Sequence, residues 1–501
     1  MWDLLIEGFT VVFAPKMLLM VALAVILGTV FGALPGVSAT MAVALGLTFT
    51  YTMEPIPAIV FLVAIYCSSI TGGGITAILF KIPGVPSSAP TTLDGYPMAQ
   101  RGEAGKALGI SLATSAVGGL FSALAMFLLS RQLSAAALKF GPTDLFAVTF
   151  LGLSILTCLE SGNVLRTIIS GLIGLLLGCI GQDPQYAVQR MTFGAKPLLA
   201  GVEMIPVLIG LFAVSEVFNQ TAKDDRLKAS DGVGGGKSNT KMPSLKDWMQ
   251  IKWVVLRCSI IGTIVGILPG AGATIASFLC YSTETKLSKH PEKFGTGCIE
   301  GIAASETANN AATGGAMVPL LSLGIPGGNA AAVMMSALVL KGVQLGPLLL
   351  QNQPEYLSAV FASMVLSNIL MVIVAIWIAK AFAKILSIPY ALLGPIIIVL
   401  ATIGSYADSL NFLDVKIMAV AGVAGVLFKV CRFNSAAMIL GLVLGPMCEG
   451  NFSRGYLVAR GDIISMFSSP IAAVLMVICI LALVSPVVMP LIKKKAKKPS
   501  K

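Results

Sequence analysis

Four proline-glycine pairs set into apolar sequence give this 501-residue chain its clearest chemistry: Pro35-Gly36, Pro83-Gly84, Pro269-Gly270 and Pro326-Gly327. Proline has no N–H to give a helix and glycine lets the chain turn or approach another group closely. A helix must stop at each pair, and the next begins with backbone N–H groups lacking partners. Ser38 and Thr40 can cap the start after the first pair. Gly272 and Thr274 follow the third pair in the same way, and Gly328 and Asn329 follow the fourth. A half-helix N-terminus buried in a membrane is a ready anion site, through its unpaired donors and its dipole. That chemistry suits a carboxylate, while unwound carbonyls opposite can coordinate a coupling cation. One such pair alone is an ordinary kink or small-residue helix contact; four, related two by two, are expected to face one another near the bilayer midplane.

A second set is polar. Glu306, Asn309 and Asn310 stand in ASETANNAATGG, just before Thr313 and Gly314. Three such side chains within five residues are costly in lipid and mark function; Glu306 and Asn310 lie one helical turn apart and share a face. With Thr71, Gly72 and Gly73 they form the candidate ion-coupling positions. The competing reading is a loop at the membrane surface. Lys81, just before an Ile-Pro-Gly break, either snorkels to the interface or pairs with a bound carboxylate. Asp94, in an Asp-Gly pair, is expected in a loop turn. Glu160, Glu203, Glu216 and Glu449 are either proton carriers or helix-end residues.

These positions need a membrane to hold them. The chain is 56% hydrophobic and 11% charged, against about 25% charged in soluble domains. Apolar runs such as Met17–Phe31, Gly109–Leu129, Val164–Ile180, Tyr356–Ile378 and Ile464–Val484 recur from end to end, giving an all-helical polytopic protein with roughly 10–12 crossings. The N-terminal run lacks a basic start, which argues against a cleaved signal peptide, and is expected as an interfacial helix. The nine cysteines are scattered and the single histidine, His290, lies in a charged stretch. This gives no disulfide framework, metal centre or enzyme nucleophile with its base. The net charge of +11 does not point to nucleic acid, because eight Lys and Arg residues crowd 223–257 and six lysines crowd 493–501. That is the positive-inside pattern, so the central linker and the C-terminus are expected to be cytoplasmic. The linker's GVGGGKS lacks the first glycine of a nucleotide-binding P-loop, since Asp231 stands there.

The two halves match. Residues 28–42 and 262–276 are identical at nine of fifteen positions at an offset of 234, including both Leu-Pro-Gly breaks. Thr71-Gly72-Gly73 matches Thr313-Gly314-Gly315 at 242, and Ile82-Pro83-Gly84 matches Ile325-Pro326-Gly327 at 243. Gly171 and Gly174 answer more faintly to Gly422 and Gly425. The expected organisation is membrane repeat one (1–220), basic linker (221–250), membrane repeat two (251–485) and basic tail (486–501), with the repeats inverted. Broken segments at matching places in duplicated halves point to a transporter's binding site.

LPGVSAT, the long run from TGGGITAILFKIPG to GEAGKALG, LPGAGAT and ASETANNAATGG together resemble the large membrane subunit of the tripartite tricarboxylate transporter family, of TctA type, over essentially the whole chain. The resemblance implies a bacterial inner-membrane importer of citrate-like or other organic acids, driven by a Na+ or H+ gradient. A small four-helix membrane subunit and a periplasmic solute-binding protein would be its partners. It also implies that the breaks are the substrate region. Where the family pattern often has Asn before the first Ile-Pro-Gly, this chain has Lys81. A solute or ion channel is the alternative class, distinguished by flux that neither saturates nor concentrates.

Overall fold

The computed structural model describes residues 2–34, 37–159, 164–183, 188–222, 240–269, 272–385, 390–409 and 411–496. Pro35, Gly36, Gly270, Glu160 and most of the linker lie outside them. The described chain is almost entirely helical. The first half holds α1 (Trp2–Val12), α2 (Pro15–Ala33), α3 (Ala39–Thr50), α4 (Pro55–Phe80), α5 (Thr91–Met98), α6 (Ala104–Ala137), α7 (Pro142–Leu159), α8 (Val164–Gly178), α9 (Met204–Ile209) and α10 (Ser215–Ala222). The second holds α11 (Leu245–Ile267), α12 (Gly272–Leu287), α13 (Ile299–Leu323), α14 (Asn329–Leu340), α15 (Leu349–Asn352), α16 (Glu355–Ile385), α17 (Tyr390–Ser409), α18 (Phe412–Val430), α19 (Ser435–Val458), α20 (Ile463–Met466) and α21 (Pro470–Ala496). A two-residue antiparallel ribbon pairs Gly181 with Arg190. α21 runs through the boundary expected at residue 485.

Five described helices are long and apolar enough to cross a bilayer, and the fold is that of an all-α polytopic membrane protein. Six apolar helices are shorter, α3 and α14 among them. A twelve-residue helix reaches about 18 Å, well short of the roughly 30 Å hydrocarbon layer. α3 and α14 are half-helices left by Pro-Gly breaks. The N-terminal helix α1 lies on α16, where Phe9 meets Phe361 edge-on at 5.9 Å.

At the centre α4 and α13 are buried along nearly their whole lengths. α2 runs beside α4, and α11 beside α13. Missing side chains make both contacts close: a β-carbon on Gly28, Gly32 or Gly72 would strike Ser68, Ser69 or Thr29, and one on Gly262, Gly266 or Gly315 would strike Ala308, Ala312 or Thr263. Both Ile-Pro-Gly segments then fold back. Gly84 sits against Gly32 and Gly73, and Gly327 against Gly266 and Ala316. The α2 and α11 partners in these contacts correspond at an offset of 234 and the α4 and α13 partners at 243, so Gly72 answers to Gly315 and not to Gly314.

Gly32→Val should therefore destabilise the full chain by about 1–3 kcal/mol, the usual cost of forcing volume into a filled contact. Gly450→Ala, with no atom near its missing β-carbon, serves as the control. Melting of the two variants in detergent checks this, and equal midpoints would contradict it.

Outside this centre, α8 packs on α19, and α18 on α9 and α10. Glycines again set the distance: Gly174 lies on Met438, Gly422 on Val214 and Gly425 on Ser215.

Candidate functional site

The chain stops being helical at each of the four breaks. α2 gives way to α3, α11 to α12, α4 to the short turn Pro86–Ser88, and α13 to α14. Ser38 caps α3, accepting from the Met41 N–H at 3.1 Å. Both Ile-Pro-Gly breaks begin alike. Lys81 closes α4 in the left-handed conformation (φ 60°) and Gly324 closes α13 in the same way (φ 72°). The next residue in each case, Ile82 or Ile325, donates back six residues, to Thr76 at 3.4 Å or Pro319 at 3.2 Å. A left-handed residue just past the last turn is a common way for a helix to stop.

Lys81 thus takes the backbone position that Gly324 takes in the second half. Its ammonium lies 5.7 Å from the centre of the Tyr96 ring, the side chain is exposed, and it does not line the cavity between the breaks. Asn and Gly tolerate the left-handed region best. Lys81→Gly should raise stability by up to about 1 kcal/mol, seen as a higher melting midpoint; a lowered midpoint would contradict this.

All four breaks line one cavity of about 540 Å³. Ser38 and Thr40 come from the first Leu-Pro-Gly segment, Gly272 and Thr274 from the second, Val85 to Ser87 from the first Ile-Pro-Gly segment, and Gly328 and Asn329 from the second. The Ser87 hydroxyl is buried without a hydrogen-bond partner. The opposite wall is α10 and α18, contributing Ser215, Glu216, Asn219, Gly425 and Lys429. Lys429 Nζ donates to Glu216 at 3.1 Å. Glu216 is one of the four acids named above; Lys429 stands 213 residues away, and no spacing in the sequence links the two. Pro83, Gly84, Pro269, Pro326 and Gly327 shape the breaks but are not among the lining residues.

The second polar set lies in helix α13, with no surface loop. Glu306, Asn309 and Asn310 are fully buried. Thr91 donates to Glu306 Oε1 at 2.5 Å. Oε2 faces the Ser88 and Ser111 hydroxyls without a well-formed bond to either, and Gly74 leaves it room. Asn309 donates to Ser88 Oγ at 3.3 Å while its Oδ1 has no partner. Asn310 donates to the Ser115 carbonyl at 2.8 Å and to Asn368 Oδ1 at 2.6 Å. Thr71 meets Ser115 at 2.7 Å, and Thr313 bonds the Asn310 carbonyl at 2.7 Å and touches Cys67. This network is separate from the cavity but adjoins it, since Ser88 follows the cavity-lining Ser87. Gly72 and Gly314 serve close helix contacts, and Gly73 lies against Val85 and Ser88 of the first Ile-Pro-Gly segment.

Asp94 is not in a loop turn. It is fully buried in α5. Its Oδ1 accepts from the N–H groups of Gly295, Gly297 and Cys298 at 2.8–2.9 Å, and its Oδ2 from the Tyr281 hydroxyl at 2.8 Å. Arg101 answers by donating to the Thr296 and Gly297 carbonyls, each at 2.8 Å. The Asp-Gly signal misled because the carboxylate binds a distant loop and not its own turn. A larger cleft of about 690 Å³ opens beside this clamp, among Arg101, Lys106, Lys293, Glu103 and Glu300; its charges are mixed and no break reaches it. Among the described residues no three His, Cys, Asp or Glu side chains gather as a metal site.

The sequence profile of the tripartite tricarboxylate transporter TctA family matches residues 18–440. The chain belongs to that family. As a TctA-family protein it is the membrane component of a tripartite transporter. It is 38% identical over 492 residues to the Agrobacterium vitis protein named "Uncharacterized 52.8 kDa protein in TAR-I ttuC' 3'region", covering 98% of this chain and 97% of that one. A second Agrobacterium vitis protein, in the TAR-II ttuC' 3'region, is 39% identical over 228 residues, 45% of this chain and 94% of its own length. No solved structure matches the chain.

Proposed function

We propose that this chain is the large subunit of a binding-protein-dependent secondary transporter of the bacterial inner membrane, importing citrate-like tricarboxylates or related organic acids. The observation that carries the reading is the cavity where all four breaks meet. The first turns of α3, α12 and α14 begin at or beside it, and helix starts offer N–H groups and a positive dipole end to an anion. A periplasmic binding protein would deliver the solute and a small four-helix subunit would complete the membrane part.

The halves act as inverted repeats in this reading, with the N-terminus periplasmic and the linker and tail cytoplasmic. Glu216 lies near the end of α10, where the linker begins, and the cavity then opens to the cytoplasm. Movement is of elevator type, carrying the paired hairpins against a scaffold. A fluorescence distance from the first break to α21 that stays fixed during turnover would count against it. The buried set around Glu306 couples transport to Na+ or H+.

Uptake of labelled citrate by cells expressing the chain with both partners tests the function. Accumulation above the outside concentration that needs a sodium gradient supports import with Na+ coupling, and loss only with a protonophore assigns H+. Flux that neither saturates nor concentrates the solute would replace the transporter with a channel.

A further inference from the structure

We infer that Lys429, held by Glu216, recognises a second carboxylate of the solute and so restricts the cavity to di- and tricarboxylates; the inference rests on reading the cavity as the anion site. The two walls differ in kind. The wall of breaks offers backbone N–H groups at the starts of α12 and α14, the Ser38 and Thr274 hydroxyls, and the buried, unpartnered hydroxyl of Ser87. These donors can hold one carboxylate but carry no full charge. The facing wall carries Lys429 and Glu216, the charged residues among the described lining.

A simple staple between α10 and α18 is the plainer role for that ion pair. The contacts argue against it as the whole role. Gly425 against Ser215 and Gly422 against Val214 already bring the two helices together, and a staple has no need to face a cavity. Lys429 is half exposed there, so the pair is worth little as stability. It is well placed for exchange. Glu216 occupies the ammonium as a carboxylate belonging to the protein. A solute with one carboxylate, seated at the breaks, gains nothing from a lysine already neutralised. A solute with a second carboxylate competes with Glu216 and gains a charge-assisted bond. On release Glu216 takes the lysine back, which keeps the affinity moderate.

Succinate and butyrate share a carbon skeleton and differ by one carboxylate. Calorimetric titration of both into the full chain in lipid nanodiscs tests the inference. The wild-type protein should favour succinate by about tenfold or more, the worth of a hydrogen bond to a charged group. Lys429→Gln should bring the ratio close to one, and Lys429→Arg should keep it. Glu216→Gln should tighten succinate by up to about fivefold, the scale of an exposed ion pair, with butyrate moving less. Lys429→Gln binding both acids with the wild-type ratio overturns the inference. If that variant binds neither acid, Glu216→Gln decides, and unchanged succinate affinity there overturns it. Equal wild-type affinities remove this inference and leave the anion site standing; no wild-type binding of either acid removes both.

Discussion

Asp94→Ala is expected to destabilise the folded chain by about 2–4 kcal/mol. The carboxylate is fully buried and takes four hydrogen bonds, three of them from backbone N–H groups of the loop before α13. Removing it strands those donors and the Tyr281 hydroxyl. A stranded buried donor costs about 1–3 kcal/mol, but Gly295 is exposed and water can replace its bond, which lowers the total. Gly301 has no side chain to fill the space Asp94 leaves; its missing β-carbon is what admits the carboxylate. Asp94→Asn should fall between, because the amide keeps one acceptor. Two readouts check the prediction. The melting midpoint in detergent should drop, and trypsin should cut rapidly after the exposed Lys289 and Lys293 once the loop loses its anchor. A variant that melts like wild type and resists cleavage would show that Asp94 does not hold the loop.

Glu306→Gln is expected to abolish ion-driven accumulation while leaving exchange of solute across the membrane. Glu306 is buried in α13, and among the described residues no Lys or Arg is paired with it. A lone carboxylate in lipid is expensive, so it needs a proton or a bound cation to be carried at all. Asn309 Oδ1, also without a partner, is a neutral oxygen of the kind that could complete a cation's shell. The amide keeps the Thr91 bond and the shape of the site but can neither release a proton nor offer a charge. Concentrative uptake should fall to the level without a gradient, while preloaded vesicles still exchange labelled for unlabelled solute. Undiminished accumulation would remove Glu306 from coupling, and loss of exchange as well would make its role structural.

The breaks were legible in the sequence because proline and glycine act locally. A proline followed by glycine, as at Pro326-Gly327, both lacks an N–H and frees the backbone to turn, whereas Pro319, without a glycine after it, sits inside α13. α13 was legible as a polar helix for a similar reason, since Glu306 and Asn310 share a face by spacing alone. Positions governed by distant partners were not. Asp94 serves a loop some two hundred residues away, and Lys429 meets Glu216 across the two halves. The left-handed backbone that Lys81 shares with Gly324 has no signal in its residue type. The alignment of Thr71-Gly72-Gly73 slipped by one residue because so short a motif fits at either offset, and only the contact of Gly72 with Thr29, matched by Gly315 with Thr263, fixes it.

The central claim is that an organic anion binds where the four breaks meet. Thr274→Cys and Asn329→Cys place thiols on the half-exposed rim of that cavity, in a background with the exposed Cys431 removed. The measurement is the rate at which a charged thiol reagent alkylates each cysteine in membranes, with and without a solute the cells are shown to import. The solute should slow alkylation at both positions, in step with its concentration for half-maximal uptake. Unchanged alkylation at both, while uptake proceeds, would place the solute elsewhere in the protein.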